Sequence, residues 1–301
     1  MHADSLTLAV DLGGTRMRAA LVASDGTIVH RHQQRTPRGS PCPDALESLV
    51  RHVRDHGSPG RAVVGVPGRV DYDSGRLEYA PNLPPGWAEA IFTAHLNAIL
   101  GVPTSLANDA DLATAGEARF GAGRGSSDVA YITISTGVGA GAVLGGRLVH
   151  GRRSIAEIGH TIIDLSALCT GRPATVEALG SGTAMARAAH EAGLTIEGAA
   201  LLDRVKAGDS TARAVWDGVA TAVAAAVANL AHLVTSEVIV VGGGVGRTGD
   251  VLLGPARAVI AEHGPAGADI DVAVAELGDD AGLVGAAAWA SALNGEGPAD
   301  G

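Results

Sequence analysis

The sequence predicts an α/β protein built from a duplicated unit, and three observations carry that expectation. Short strands rich in Val, Ile, Leu and Thr alternate with helical stretches along the whole chain. A strand–glycine turn–strand–glycine turn–strand pattern occurs twice, about 120 residues apart, a repeat at domain scale; DGTIVH at 25–30 matches GGRLVH at 145–150. Glycine makes up 43 of 301 residues, roughly twice the usual share, and it clusters after hydrophobic strands, where tight turns and close backbone approach to ligands need it.

The elements follow in order. LTLAVDL, GGT, MRAALVAS, DG and TIVHR read as three short strands, with Asp25-Gly26 a strong hairpin signal. A helix is expected over 43–56, a strand at RAVVGVPG, a loop at PNLPPGW and a helix near 87–100. The short strand PTSLAND leads into a helix that ends at Phe120. VAYITIS, TGVGAG, AVLGG and RLVHG form the second copy. A loop over 150–175 precedes helices at 176–193 and 197–207 and a long alanine-rich helix ending at Ser236. EVIVVGGGV reads as a buried strand running into a glycine turn. A helix over 249–263, the strand DIDVAVAEL and a helix over 281–293 complete the chain, and the tail NGEGPADG is expected to fray.

Composition excludes several classes. An apolar share of 46% against 18% charged rules out a disordered chain. The net charge of −10 argues against a nucleic-acid partner. Lys206 is the single lysine, so no P-loop lysine exists. Cys42 and Cys169 make neither a disulfide framework nor a CxxC knuckle. The N-terminal segment lacks the basic and apolar regions of a signal peptide. Nineteen uncharged residues, Gly218–Ser236, include Thr221, Asn229 and His232, and read as a buried helix rather than a membrane span. The expectation is a cytoplasmic protein with no membrane partner.

Several motifs can carry chemistry, each with a structural alternative. Asp11-Leu12-Gly13-Gly14-Thr15 ends a buried strand; its glycines let backbone N–H groups approach an anion, and Asp11 can hold a hydrated Mg²⁺, or the segment is an ordinary hairpin turn. Ser135–Gly141 offers the same hydroxyls and glycines. Gly242-Gly243-Gly244 could face a flat ring such as adenine or be a crowded strand-to-helix turn. Asp109 or Asp111 could cap the following helix; alternatively Asp109 is a general base and Asn108 a hydroxyl-binding amide. Glu157 and His160 stand three residues apart. Glu177 opens a helix, where a first-turn acid is expected anyway.

Read together, these residues resemble the ROK family of sugar kinases and repressors, within the actin–hexokinase–heat-shock ATPase superfamily. The resemblance covers Leu6 to about Ala292 through DLGGTRMRAALV, GVPGRVD, PNLPPGW, NDADLATAGEARFGAGRG, STGVGAG, AEIGH, VIVVGGGV and GDDAGLVGAA. It implies a two-lobed actin-like ATPase fold, duplicated and ribonuclease H-like, around a central cleft. The small lobe would span 1–105, with the helix at 281–295 packing back on it, and the large lobe 106–280. It implies ATP and Mg²⁺, with Asp11, Gly13, Gly14, Thr15, Arg16, Thr136, Gly137 and Gly139 around the phosphates, and Gly243 and Gly244 by the adenosine. Asp109 would take the proton from a sugar hydroxyl, and Asn82, Asn108, Glu157, His160 and Glu177 would bind the ring. The implied reaction is phosphorylation of O6 of a glucose-like hexose or amino sugar by a homodimer. A C7 cyclitol substrate and a sugar-sensing protein without turnover are the alternatives.

Two departures from the family pattern stand out. Zinc-containing members carry CxCGxxGCxE after the EIGH motif. Here those cysteine positions are Leu168, Thr170 and Thr175, with Cys169 one place off register, so no structural zinc site is expected. The repressors carry a helix-turn-helix ahead of the first strand, and with that strand beginning at about Leu6 none is expected here.

Overall fold

The computed structural model describes residues 6–154, 157–195 and 198–293. The segment before Leu6, Ala156 of AEIGH, Glu197 at the expected start of a helix, and the tail 294–301 lie outside them. The chain forms two compact units, residues 6–125, 145–154 and 279–293 in the first and 126–144, 157–195 and 198–278 in the second.

The first unit contains β1 (Thr7–Leu12), β2 (Arg16–Val22), β3 (Ile28–Arg35), β4 (Arg61–Val66), the hairpin of β5 (Arg69–Asp71) and β6 (Arg76–Tyr79), and β7 (Thr104–Asn108). One sheet runs β3-β2-β1-β4-β7. β1, β2 and β3 are antiparallel neighbours, while β1, β4 and β7 run parallel. Central β1 is almost wholly buried, as an apolar strand covered on both faces must be. The edge strand β3 alternates half-buried and exposed residues. The Asp25-Gly26 turn forms as expected, with Gly26 at φ 86° and Asp25 Oδ1 accepting from Thr27 N.

Opposite sheet faces are covered differently. On one, the helix Cys42–Arg54 buries Leu46, Leu49, Val50 and Val53 at helical spacing. On the other lie the helices Asp109–Phe120 and Ala281–Leu293, with Leu112, Leu283, Ala286 and Ala290 against Ala9, Ala20 and Val63. These two helices meet at glycines. A Cβ on Gly285 would stand 1.8 Å from the Leu112 carbonyl oxygen, and one on Gly116 would stand 2.6 Å from that of Ala281.

This packing moves the unit boundary from the expected residue 105 to Gly125. The helix Asp109–Phe120 is held by Ala281–Leu293 and by the sheet. The segment containing β10 (Arg147–Leu148) also joins the first unit: Tyr72 N donates to Arg152 O, Arg152 grips Asp71, and Arg153 grips Glu78. Two expected helices are broken. That near 87–100 becomes Trp87–Ala90 and Thr93–Leu100, because Phe92 is extended and bridges Arg76. That at 176–193 becomes Val176–Gly180 and Gly182–Glu191; extended Ser181 ends the first and caps the second by accepting from Ala184 N. The β5–β6 hairpin was not expected.

In the second unit β8 (Val129–Ile134), β9 (Val138–Leu144), β11 (Val238–Gly242) and β12 (Asp271–Val274) lie in the order β9-β8-β11-β12. β9 is antiparallel to β8; β11 and β12 are parallel to it. This repeats β2-β1-β4-β7. Asp209 caps the 25-residue helix Ser210–Val234, which buries Trp216, Val219, Val223, Val227 and Leu230 in this unit's core. Among the described helices it alone is long and apolar enough to cross a membrane.

Candidate active site

The first unit assembles a carboxylate site at the C-terminal ends of β1 and β7. β7 feeds directly into the helix Asp109–Phe120, whose N-cap is Asn108, not either aspartate: Asn108 Oδ1 accepts from Ala110 N at 2.8 Å and Asp111 N at 3.3 Å. Asn108 Nδ2 donates to Gly68 O at 2.9 Å, so one amide N–H is left for any hydroxyl ligand. Asp109 then occupies the first helical position. Its Oδ1 accepts from Ala110 N at 2.9 Å, and among the described residues Oδ2 accepts no hydrogen bond.

Asp109 keeps an exposed edge although protein surrounds it densely. That desolvation, reinforced by the negative charges of Asp11 and Asp111, pushes its pKa up to about 7 against the pull of the Ala110 N–H. A carboxyl in this range with one open oxygen can accept a proton near neutral pH.

Asp11, at the end of β1, faces Arg18 across the hairpin, where both guanidinium contacts fall on Oδ2 at 3.0 and 2.6 Å. Oδ1 remains for a ligand. One carboxylate oxygen beside phosphate is the donor set on which hydrated Mg²⁺ is held, so the residues fit that ion. The turn between β1 and β2 is tightly built. Gly13 N donates to Arg16 O, and Thr36 Oγ1 donates to Gly13 O at 2.6 Å. A Cβ on Gly14 would stand 2.1 Å from the Asn82 carbonyl oxygen, so this glycine is what seats the turn on PNLPPGW. Thr15, Arg16 and Asn82 are exposed beside it.

The second unit braces its own turn, Ser135–Gly139, from several sides. Glu177 Oε2 accepts from Val138 N at 2.9 Å and lies 2.5 Å from where a Gly137 Cβ would be. Gly182 N donates to Ser135 O at 2.7 Å, and Thr183 Oγ1 donates to Thr136 O at 2.7 Å. Gly243, at φ 81°, starts the short helix Gly243–Gly246; its Cβ would be 2.3 Å from Ile134 O. Gly244 is exposed, with open space where a Cβ would project. Thr136, Gly137, Gly139, Glu177 and Gly243 thus converge on one turn.

Glu157 and His160 flank this turn without joining it. The 3₁₀ helix Ile158–His160 presses Gly159 against Val138 O, while both side chains are exposed and pair with each other at 3.8 Å. Glu177 meets the glycine turn through Oε2, and its helix packs against the 3₁₀ helix on which Glu157 and His160 pair with each other. At the zinc positions, Thr170 Oγ1 donates to Ala167 O, and Thr175 Oγ1 caps a helix by accepting from Ala178 N. Leu168 and Cys169 are exposed, and Arg172 ties the loop by donating to Ser166 O at 2.9 Å. These donors do not suit zinc. Among the described residues no group of three or more His, Cys, Asp or Glu could hold a metal.

Sequence reasoning missed Arg18, Tyr72 and Ser154. Arg18 was legible: a GGT turn in a tight hairpin puts position 18 opposite 11. Tyr72 and Ser154 carried no such local signal.

The ROK family pattern matches residues 7–292. A glucokinase of Thermotoga maritima is 32% identical over 93% of this chain and 95% of its own length. An N-acetylmannosamine kinase of Escherichia coli is 34% identical over 93% and 97%. The crystal structure of a ROK family glucokinase from Streptomyces griseus, in complex with glucose and AMPPNP, superposes with a TM-score of 0.79 at 31% identity, covering 94% of this chain and 98% of that one. The likeness extends over the whole α/β, actin-like ATPase fold.

Proposed function

The chain belongs to the ROK family, and from that premise we propose that it is an ATP-dependent sugar kinase that phosphorylates the C6 hydroxyl of a hexose. The observation that carries the reading is Asp109: a carboxylate on the first turn of a helix, with Oδ2 open and its pKa pushed up to about 7. Relatives named for glucose and for N-acetylmannosamine support a hexose ring as the acceptor.

Asp109 Oδ2 takes the hydroxyl proton as the sugar oxygen bonds to the γ-phosphorus and the bond from that phosphorus to the ADP oxygen breaks; the proton then leaves Asp109 for solvent. Backbone N–H groups of Gly14 and Thr15 and of Thr136 and Gly137 donate to the phosphates, work that other folds give to a P-loop lysine. Gly243 and Gly244 lie beside the adenosine. A hydrated Mg²⁺ held by Asp11 Oδ1 neutralises phosphate charge when bound. Asn82, the remaining Asn108 N–H, Glu157 and His160 bind ring hydroxyls.

The test is ADP release with glucose, mannose, N-acetylmannosamine and 6-deoxyglucose as acceptors. Turnover with at least one of the first three and none with 6-deoxyglucose is expected. Equal turnover with 6-deoxyglucose would exclude O6, and ADP release with no sugar in such a panel would overturn the kinase reading.

A further inference from the structure

Behind Asp109 lies a buried polar network that the transfer step has not used. Asp111 has no exposed surface, an expensive place for a carboxylate unless it is hydrogen-bonded. Its Oδ2 accepts from the Tyr72 hydroxyl at 2.5 Å and its Oδ1 from the Ser154 hydroxyl at 2.9 Å. The Tyr72 oxygen in turn accepts from Asn108 N at 3.1 Å. The Tyr72 ring lies against His150 and Trp289, with centroids 4.5 and 5.7 Å away, and those two rings stack on each other at 5.8 Å. Burial and the Asp111 charge both raise the pKa of Tyr72, so the hydroxyl stays protonated and keeps its direction as donor. The network therefore grips Asn108 and Asp111, the residues on either side of the Asp109–Ala110 pair, from outside the helix.

Taking Asp109 as the base, we propose that Asp111 is a positioning residue for phosphoryl transfer: anchored by Tyr72 and Ser154, it fixes the first helical turn and sets a negative charge beside Asp109. The groups facing Asp109 are few. Asp11 comes from β1 with its charge partly answered by Arg18, Asp111 and the Ala110 N–H come from its own helix, and neutral Tyr72 comes from the segment after β5. Both acidic neighbours make Asp109 a better proton acceptor. Asp11 is tied to Arg18 and to ligand binding, whereas Asp111 is held by Tyr72 and Ser154.

Two variants separate this role from simple packing. Asp111→Asn keeps the size and an acceptor for Ser154 but removes the charge. The acid limb of its kcat–pH profile is expected to move to lower pH by about half a unit or more. Tyr72→Phe removes the donor to Asp111 and the acceptor for Asn108 N. It is expected to lower kcat roughly tenfold, since misplacement of a reacting group costs rate, with both KM values within about twofold and the acid limb not lowered. A folded Asp111→Asn enzyme with the wild-type acid limb, or Tyr72→Phe with wild-type kcat, overturns the proposal. Should Asp111→Asn fail to fold, Tyr72→Phe decides. Asp109→Asn is the control: if it remains active the base assignment itself fails, whereas an inactive Asp109→Asn beside an unshifted Asp111→Asn limb defeats only the role given to Asp111.

Discussion

The four strands β2-β1-β4-β7 and β9-β8-β11-β12 share one order and one pattern of directions, yet their loops carry different side chains. In the first unit the leading strand ends in Asp11 and the last strand delivers Asp109. In the second, the turn after β8 carries hydroxyls and glycines and its acid is supplied from a helix by Glu177, while the acids that follow β12, Asp279 and Asp280, open a helix that belongs to the first unit. Both sheets carry a glycine turn after the leading strand, and the first adds two strand-end carboxylates, Asp11 and Asp109. The lesson is that a duplicated scaffold specialises through its strand-end residues, while buried strands such as TLAVDL and VAYITI stay interchangeable in kind.

The units also differ in what holds their helices. The helix bearing Asp109 is pinned at glycines, so Gly285→Leu is expected to have the largest effect of any change considered. Backbone stands where its Cβ must go, and overpacking costs about 1–3 kcal/mol or more. Thermal melting should drop by many degrees or the chain should fail to fold. A melting temperature close to wild type would show that the two helices part easily and that the Asp109 turn is less rigid than described.

A smaller effect is expected where the second unit braces its turn. Glu177→Ala removes a charge-assisted hydrogen bond to Val138 N, worth roughly 1.5–3 kcal/mol. The KM for ATP should rise about tenfold or more while the KM for sugar stays near wild type. A rise confined to the sugar KM would return Glu177 to the ring-binding role that family resemblance implies.

The mildest effect concerns the ion pair that ties the 145–154 segment to the first unit. Hydrogen bonds from Arg152, aided by Ser74 N, hold the Asp71 carboxyl down at about 2, below the 3.8 of a free aspartate. Its contribution to stability is present above pH 4 and is lost as the pH falls from about 4 to about 2. Urea midpoints measured over that range should fall for the wild type and fall less for Arg152→Ala. Parallel curves would show that the pair contributes nothing.

What the sequence revealed and what it hid follow from distance along the chain. The β1–β2 hairpin, the Asp25-Gly26 turn and the placement of Asp109 at a strand–helix junction are local patterns, and they were legible. Asn108 as the cap was the one local misreading there; a residue with its side-chain oxygen just outside the helix reaches two N–H groups that Asp109, already inside, cannot both reach. The Tyr72–Asp111 bond joins residues 39 apart, and Ser154 lies 43 beyond Asp111. No spacing rule spans such gaps. The breaks at Phe92 and Ser181 were hidden for the same reason, since a bridge to Arg76 and the packing of two short helices decide them. The family motifs located Glu157, His160 and Glu177, but only the fold shows Glu177 turned to the glycine turn.

The most direct test of the central claim is kcat as a function of pH for the wild type and Asp109→Asn, with sugar binding measured separately. Asp109 is raised to about 7 by the protein packed around it and by two neighbouring carboxylates, and a base must be deprotonated to act. Wild-type kcat should therefore climb with pH through about 7 and then level off, and Asp109→Asn should lose about 10²–10⁴-fold in kcat while still binding sugar. Wild-type-like turnover by Asp109→Asn, or a wild-type rate that stays flat down to pH 5, would contradict the account.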